Sequence, residues 1–439
     1  MSLETSKLAR ALASAIAVDE FIVSEVRSRE ATESFYDAGG RSERVHHERE
    51  AQLFVDRKRG RGMAILQATL DAPLAPQIRE ASTRAFEALG PAWRLPQPKA
   101  PARVRVHESN DGSPRDVARA ALAEFRRALP ETLQVLTAKL RVLQCRHRTV
   151  LSTGFDNQYP STDIWLDAIV QTKGGVPVPL TLRARRLANL DIAMQDAMQR
   201  VARQSAQDAT AAPTQAGLVD LVLLHSAYLP QAPGDFGIWT PMVAQAQASR
   251  VRAGISTHNR GQPLFHRTSS SAGPSDTLHV RSEGTKSFAL QSAPFSADGQ
   301  AVRNFSLVQN GLATGVAVDH RDSALGAGTA NGGVRRLVVG GGSQSAEQIG
   351  RPESRPVLFV QSLRSVETNP NGQVFLDVAS AEMRTRDALG RIVHAPVRSA
   401  VVSGNLRAWL ETLRMSKEMA DDSWLNGPRL IRINNVRTH

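Results

Sequence analysis

Residues 51–69 read AQLFVDRKRGRGMAILQAT. Two apolar-rich alternating runs, Ala51 to Val55 and Met63 to Thr69, flank a basic connection that carries Gly60 and Gly62. Alternation around a glycine-bearing turn is the signature of a β-hairpin. The basic turn Arg57-Lys-Arg-Gly-Arg61 reads as a solvated hairpin tip rather than a phosphate site. Upstream, Leu8, Leu12, Ile16 and Phe21 recur at three- to four-residue spacing, which predicts a helix within 4–30. A short extended run is expected at 31–36. Downstream, 76–89 reads as a helix stopped by Gly90-Pro91.

Residues 91–114 hold five prolines and read as a linker. Ser113-Pro114 then supplies an N-cap and a proline at the first helical position, predicting a helix that Pro130 ends near Leu129. Strands are expected at 139–149, 164–173 and 180–186, with a turn at Ser152-Thr153-Gly154 and a helix over 189–208. Beyond the Ala/Thr/Pro-rich loop 209–215, glycine becomes frequent and short alternating runs dominate, among them 218–224, 306–308, 315–318, 335–339, 357–360, 373–376, 397–402 and 430–433. That is the pattern of a barrel or sandwich. Helices are expected at 240–252 and 406–415. The fold class is therefore α+β: an N-terminal αβ region with antiparallel sheet and helices, and a C-terminal β-rich, barrel-like domain. The expected domains are 1–96, 97–215 and 216–439.

Composition narrows the function. The 439 residues contain no apolar run long enough to span a bilayer, and Met1 to Ala17 lacks the basic start and long apolar stretch of a secretory signal. A soluble, cytoplasmic protein is expected. One cysteine, Cys145, excludes an internal disulfide and any cysteine-cluster metal site. The net charge is +12, and 47 of the 54 cationic side chains are arginine. They are scattered along the chain with only 5% aromatics, which argues against direct nucleic-acid binding.

No catalytic constellation emerges from the residues alone. His46-His47-Glu48 lacks a second histidine one helical turn on. His107-Glu108 leads into a turn, and His258 and His266 are separated by Gly261 and Pro263. Cys145 and His147 share a strand face without being aimed at each other; Cys145 reads as a buried structural thiol. Ser152-Thr153-Gly154 lacks the nucleophile-elbow pattern, and Gly340 to Ser343 lacks the lysine of a phosphate loop.

Six C-terminal segments nevertheless resemble, in order, those of the TldD/PmbA family. They are Ser292-Ala-Pro-Phe-Ser-Ala-Asp-Gly-Gln-Ala-Val302, Leu307-Val-Gln-Asn-Gly-Leu312, Asp322-Ser-Ala324 with Gly328-Thr-Ala-Asn-Gly332, Asn369-Pro-Asn-Gly-Gln-Val-Phe375, Ala395-Pro-Val397 with Val402-Ser-Gly-Asn-Leu406, and Gly427-Pro-Arg-Leu-Ile-Arg-Ile433. The resemblance implies a heterodimer of related subunits that degrades or matures unfolded peptides, and an older label, modulator of DNA gyrase. In the catalytic subunit it implies zinc held by His-Glu-x-x-x-His on a helix and by a C-terminal cysteine. The corresponding helix here, 240–252, reads TPMVAQAQASRVR, without histidine or glutamate, and no cysteine lies near the C-terminus. A zinc ion would have no imidazole or thiolate to hold it.

The expected function follows. The chain is a partner subunit of the TldE/PmbA type, with no catalytic residue, metal ligand or cofactor of its own, and with zinc expected in a TldD-like partner. Its substrate is an unfolded peptide, a peptide natural product among them. Asn310, Gly311, Asn331, Gly332, Asn369, Gly372, Gly404 and Asn405 are expected to line the peptide chamber, although Asn-Gly pairs also serve tight turns. Arg250 and Arg252 are expected to contact the partner. The competing reading is a stand-alone peptide- or nucleic-acid-binding protein without protease activity.

Overall fold

The computed structural model describes residues 3–35, 40–57, 60–67, 72–87, 89–95, 97–108, 112–208, 210–214, 216–229, 234–264 and 275–439. Lys58 and Arg59 of the basic turn, and His266, lie outside the described residues. The first half contains α1 (Leu3–Ala13), β1 (Glu20–Phe35), β2 (Arg41–Arg57), β3 (Gly60–Leu66), α2 (Leu74–Glu87), β4 (Leu89–Gly90), α3 (Pro114–Ala128), β5 (Leu133–Leu151), β6 (Asp156–Thr172), β7 (Val178–Ala184) and α4 (Leu187–Asp208). Its strands form one seven-stranded sheet in the order β4-β3-β2-β1-β5-β6-β7, antiparallel throughout.

Local chemistry explains most boundaries. Ser113 and Asp116 form a reciprocal capping box at the start of α3, with Pro114 at its first turn, as the sequence predicts. The helix expected within 4–30 stops at Ala13, and Phe21 lies instead on β1. The reason is the β-branched pair Ile22-Val23, whose period-two burial puts Phe21 and Val23 in one core and Ile22 in another. Residues 31–35 of the run expected at 31–36 are the end of that same strand, and Tyr36 lies outside the described residues. Arg61 is not part of a solvated tip: it is 3% exposed, pairs with Glu20 and stacks on Phe54 and Trp93.

The proline-rich stretch does not separate two sheets. β1, before it, and β5, after it, pair over fourteen residues from Ile22↔Leu151 to Phe35↔Ala138. The stretch runs as an extended strap over the sheet, with the Leu95 amide on Glu20 and the Val106 carbonyl accepting from Thr162 N. α1 and α2 cover one end of one sheet face; α3 and α4 cover the rest of it.

The second half contains β8 (Ala212–Pro213), β9 (Gly217–Leu224), α5 (Thr240–Gln245), α6 (Ala248–Arg252), β10 (Val280–Ser282), β11 (Phe305–Gln309), β12 (Leu312–Ala313), α7 (His320–Ala324), β13 (Leu337–Val339), α8 (Ala346–Ile349), β14 (Val357–Thr368), β15 (Gln373–Arg386), β16 (Ile392–Arg398), β17 (Ala400–Asn405), α9 (Leu406–Glu411), β18 (Arg414–Met415), β19 (Met419–Asp421), β20 (Leu425–Pro428) and β21 (Leu430–Thr438). Strands pair in the order β14-β9-β21-β17-β15, and β15 returns to β14, so this ring is a closed barrel without free edges. Inward positions repeat every second residue: Val219, Leu221 and Leu223; Val374, Leu376 and Val378; Ile431 and Ile433. A six-stranded sheet, β12-β11-β10-β13-β20-β19, shares the same core with Trp239 and Met242.

Two expected helices are shorter than their periodicity. The 240–252 segment breaks at Ala246-Gln247, because Ala317 N donates to Ala246 O (2.7 Å) and Ala248 N donates to Ala317 O (2.9 Å). The 406–415 segment ends at Glu411, and Arg414-Met415 pairs with β21. Residues 315–318 make one bridge rather than a strand. No described helix is long and apolar enough to cross a membrane.

Candidate functional site

The two halves meet at a polar seam. Cross-strand register puts Cys145 opposite Ser161, His147 opposite Tyr159 and Leu143 opposite Asp163, all on the sheet face turned away from the helices. The segment 288–302 docks on this face. The carbonyl of Ala297 accepts from Ser24 Oγ (3.0 Å) and Thr149 Oγ1 (3.3 Å). Phe295 meets Phe155 and Tyr159 edge-on. Gly299 has φ +76°, and a Cβ there would press on Leu151 and Phe155, so this position accepts only glycine without displacement. The strap is clamped between: Ala102 N donates to Pro294 O and Phe288 N to Arg105 O.

The titratable groups of the seam are held neutral or paired. Burial pushes the Cys145 thiol up to about 11, with Asp163 adding to the rise. Burial lowers His147 to about 4, helped by the nearby Arg185 charge. The His147 ring stacks on Tyr159, and its Nε2 lies 3.0 Å from Ser161 Oγ rather than on Cys145. Burial disfavours the thiolate, and the imidazole is engaged by Ser161 and Tyr159 rather than by the thiol, so the geometry does not make these two residues a nucleophile–base pair. Asp163, raised by burial, is paired by Arg185 Nε at 3.2 Å. Sequence spacing could not reveal this cluster, since Ser161, Tyr159, Asp163 and Arg185 come from other strands and a turn.

The segment 240–252 lies against the barrel. The Gln245 side chain donates to Pro370 O, and its Oε1 accepts from Thr257 N (3.0 Å). Arg252 Nη2 donates to Asp322 Oδ1 (2.8 Å), whose carboxylate is buried, so this guanidinium already ties α6 to α7. Arg250 lies on the same short helix, half-buried, with its Nε inside the protein. The side chains here do not fit a zinc ion. Met242 and Val243 enter the core, and the nearby His258 bonds the Gly315 carbonyl through Nε2 (2.9 Å). Among the described residues, no three His, Cys, Asp or Glu side chains are grouped to hold a metal.

Four of the expected chamber residues are brought together. Asn369 Oδ1 accepts from Asn371 N and Gln373 N, forming the tip between β14 and β15. Gly372, at φ +91°, lies under the Asn405 amide. Asn405 donates to Asn371 O and caps α9 through Arg407 N. Gly404 is pressed against the Trp409 indole. Asn331 sits on the other side of 245–248. Its Oδ1 accepts from Val318 N and Gly333 N, its Nδ2 donates to Val316 O, and Gly332 follows in a left-handed turn. Asn310 and Gly311 form a separate tip between β11 and β12, both at positive φ, where Gly311 N donates to Leu278 O. The Asn369, Asn331 and Asn405 amides organise turns and a helix cap.

Comparison with known proteins follows the same division. Residues 256–439 match the family model described as the PmbA/TldA metallopeptidase C-terminal domain. A search of curated protein sequences returned no match. Solved structures share the fold over the whole length. TldE from Thermococcus kodakarensis superposes with a TM-score of 0.69 at 17% identity, covering 99% of this chain and 99% of that one. A candidate modulator of DNA gyrase from Bacteroides thetaiotaomicron VPI-5482 gives 0.72 at 18% identity, covering 100% and 99%. Another from Thermotoga maritima MSB8 gives 0.69 at 15% identity, covering 99% of each. The C-terminal part of this chain is thus a PmbA/TldD-family domain. The full chain has the fold of TldE and of the gyrase-modulator proteins.

Proposed function

We propose that this chain is the zinc-free subunit of a two-subunit peptidase of the TldD/TldE type. A TldD-like subunit supplies zinc and the hydrolytic step, and both work in the cytoplasm on unfolded peptides, including peptide natural products undergoing maturation. The observation that carries the reading is the segment 240–252, which offers methionine, valine, glutamine and arginine where the resembling catalytic helix needs His-Glu-x-x-x-His. The domain match over 256–439 supports it. In this reading the tips at 369–372 and 404–405 form part of the chamber wall, where an extended peptide is held through its backbone.

The test is reconstitution. The chain is purified alone and together with a TldD-like protein of the same genome, then assayed for bound zinc and for cleavage of denatured casein. The expected result is no zinc and no cleavage for the chain alone, and cleavage by the complex. Stoichiometric zinc and casein hydrolysis by the isolated chain would overturn the reading.

A further inference from the structure

Arg335, which comes to the seam from the C-terminal domain, is the exception among its charged groups. Its backbone N donates to Ser282 Oγ (2.9 Å) and its Nε to Gly332 O (3.0 Å). Its stem packs on Gly284, where a Cβ would press on Arg335 Cγ and overlap Val302. The stem and Nε are thus fixed, while Nη1 and Nη2 have no described hydrogen bond or ion pair. Tyr159, Asp298 and Arg185 are the groups that act on this guanidinium electrostatically. Arg185 is already matched by Asp163 at 3.2 Å. Asp298 accepts from Ser296 Oγ and lies 3.8 Å from His320 Nε2. Neither carboxylate forms a described ion pair with Arg335.

The Tyr159 ring is held by stacking on His147 and by the edge of Phe295, and its hydroxyl has no described partner. Burial pushes Arg335 below the usual arginine range and Tyr159 above the usual phenol range. Both side chains nevertheless belong to partly exposed residues. A group crowded on most sides but still reached by solvent lines a crevice, not a convex surface. With Nε anchored, the two Nη groups present a planar fork, the geometry that takes a carboxylate through both oxygens. Charge points to the same class of ligand. One guanidinium is unmatched by contact, so a monoanion neutralises it. A phosphate dianion would leave surplus negative charge in a crowded place beside Asp298.

We propose that the Arg335 fork and the Tyr159 hydroxyl form a carboxylate-binding site at the seam, taking a small organic acid or the C-terminal carboxylate of a peptide. Tyr159 lies on β6 of the N-terminal sheet and Arg335 lies in the C-terminal domain, so the bound carboxylate bridges the two halves and stabilises their docking. The inference does not depend on the peptidase reading, because it needs no zinc, hydrolysis or second protein.

Isothermal titration of the full chain at constant ionic strength tests it. The probes are acetate, inorganic phosphate, and N-acetyl-trialanine with a free or an amidated C-terminus. Acetate and the free-acid peptide are expected to bind, and the amidated peptide to bind at least about tenfold more weakly. Arg335→Gln should abolish binding. Tyr159→Phe keeps the ring contacts to His147 and Phe295 and removes only the hydroxyl; it should weaken binding about tenfold, and it serves alone if Arg335→Gln disturbs folding. Equal affinities for acetate and the free-acid peptide assign the site to small acids, and tighter peptide binding assigns it to a peptide terminus. No binding of either, equal binding of the free and amidated peptides, phosphate binding tighter than acetate, or affinities indifferent to both substitutions would overturn the proposal.

Discussion

Arg185, directly after β7, donates through Nη1 to the carbonyl of Ser292 at 2.8 Å, and its Nη2 donates to Leu290 O. The same guanidinium holds Asp163 on β6. One buried side chain thus joins the helix-backed sheet to the segment that enters the C-terminal domain. Arg185→Ala leaves Asp163 and two carbonyls without this donor. We expect a loss of about 3–5 kcal/mol. Urea unfolding should show it, together with separation of the two halves into distinct transitions. A single, unshifted transition would contradict the role.

Glu25 provides a pH test. Burial raises its pKa, but hydrogen bonds from Thr5, Arg27 and His47 outweigh it and hold the carboxyl down to about 2 from 4.5. A depressed acid contributes stability above its unfolded pKa and loses it as pH falls through the folded one. Denaturation midpoints should therefore drop between about pH 4.5 and 2, and Glu25→Gln should flatten that part of the profile. Parallel profiles for the two proteins would remove Glu25 from the account.

Cys145 should be chemically quiet. With its pKa near 11 rather than 9.0, the thiolate is about a hundredfold scarcer at pH 8 than in the unfolded chain. Iodoacetamide labelling should be slower by at least that factor in native buffer than in urea. Cys145→Ser should leave peptide cleavage by the reconstituted complex unchanged. Fast native labelling would mean that the thiol is exposed or activated.

Gly62 shows how closely α2 is seated on β3. A Cβ at this position would overlap the Ala85 carbonyl, which is backbone and cannot swing away. Gly62→Ala should cost about 1–3 kcal/mol or more through overpacking. At Gly217, where a Cβ meets nothing within 4 Å, alanine should change stability by less than about 0.5 kcal/mol. Thermal melts of the two variants measure the contrast.

Several features were legible from residue order alone. The α3 boundaries follow from Ser113, Pro114 and Pro130, because caps and prolines act on their own backbone neighbours. The hairpin around Gly60 was readable from two alternating runs about a glycine-bearing connection, and the tips at Asn310-Gly311 and Asn369-Gly372 because the positive φ of Asn310, Gly311 and Gly372 favours those residue types. The missing zinc donors in 240–252 are a matter of composition. Other features depend on chain segments far apart in sequence. Helical spacing ran on through Phe21, yet pairing with β2 and β5 makes that residue part of a strand. Ala317 breaks the 240–252 helix by taking the bonds that Ala246 O and Ala248 N would otherwise make within it. The closure of β14 onto β15, the seam around His147 and the capture of Arg252 by Asp322 belong with these. Sequence periodicity reports which face of an element is apolar; which element covers that face is decided only when distant strands pair and their buried polar groups must find partners.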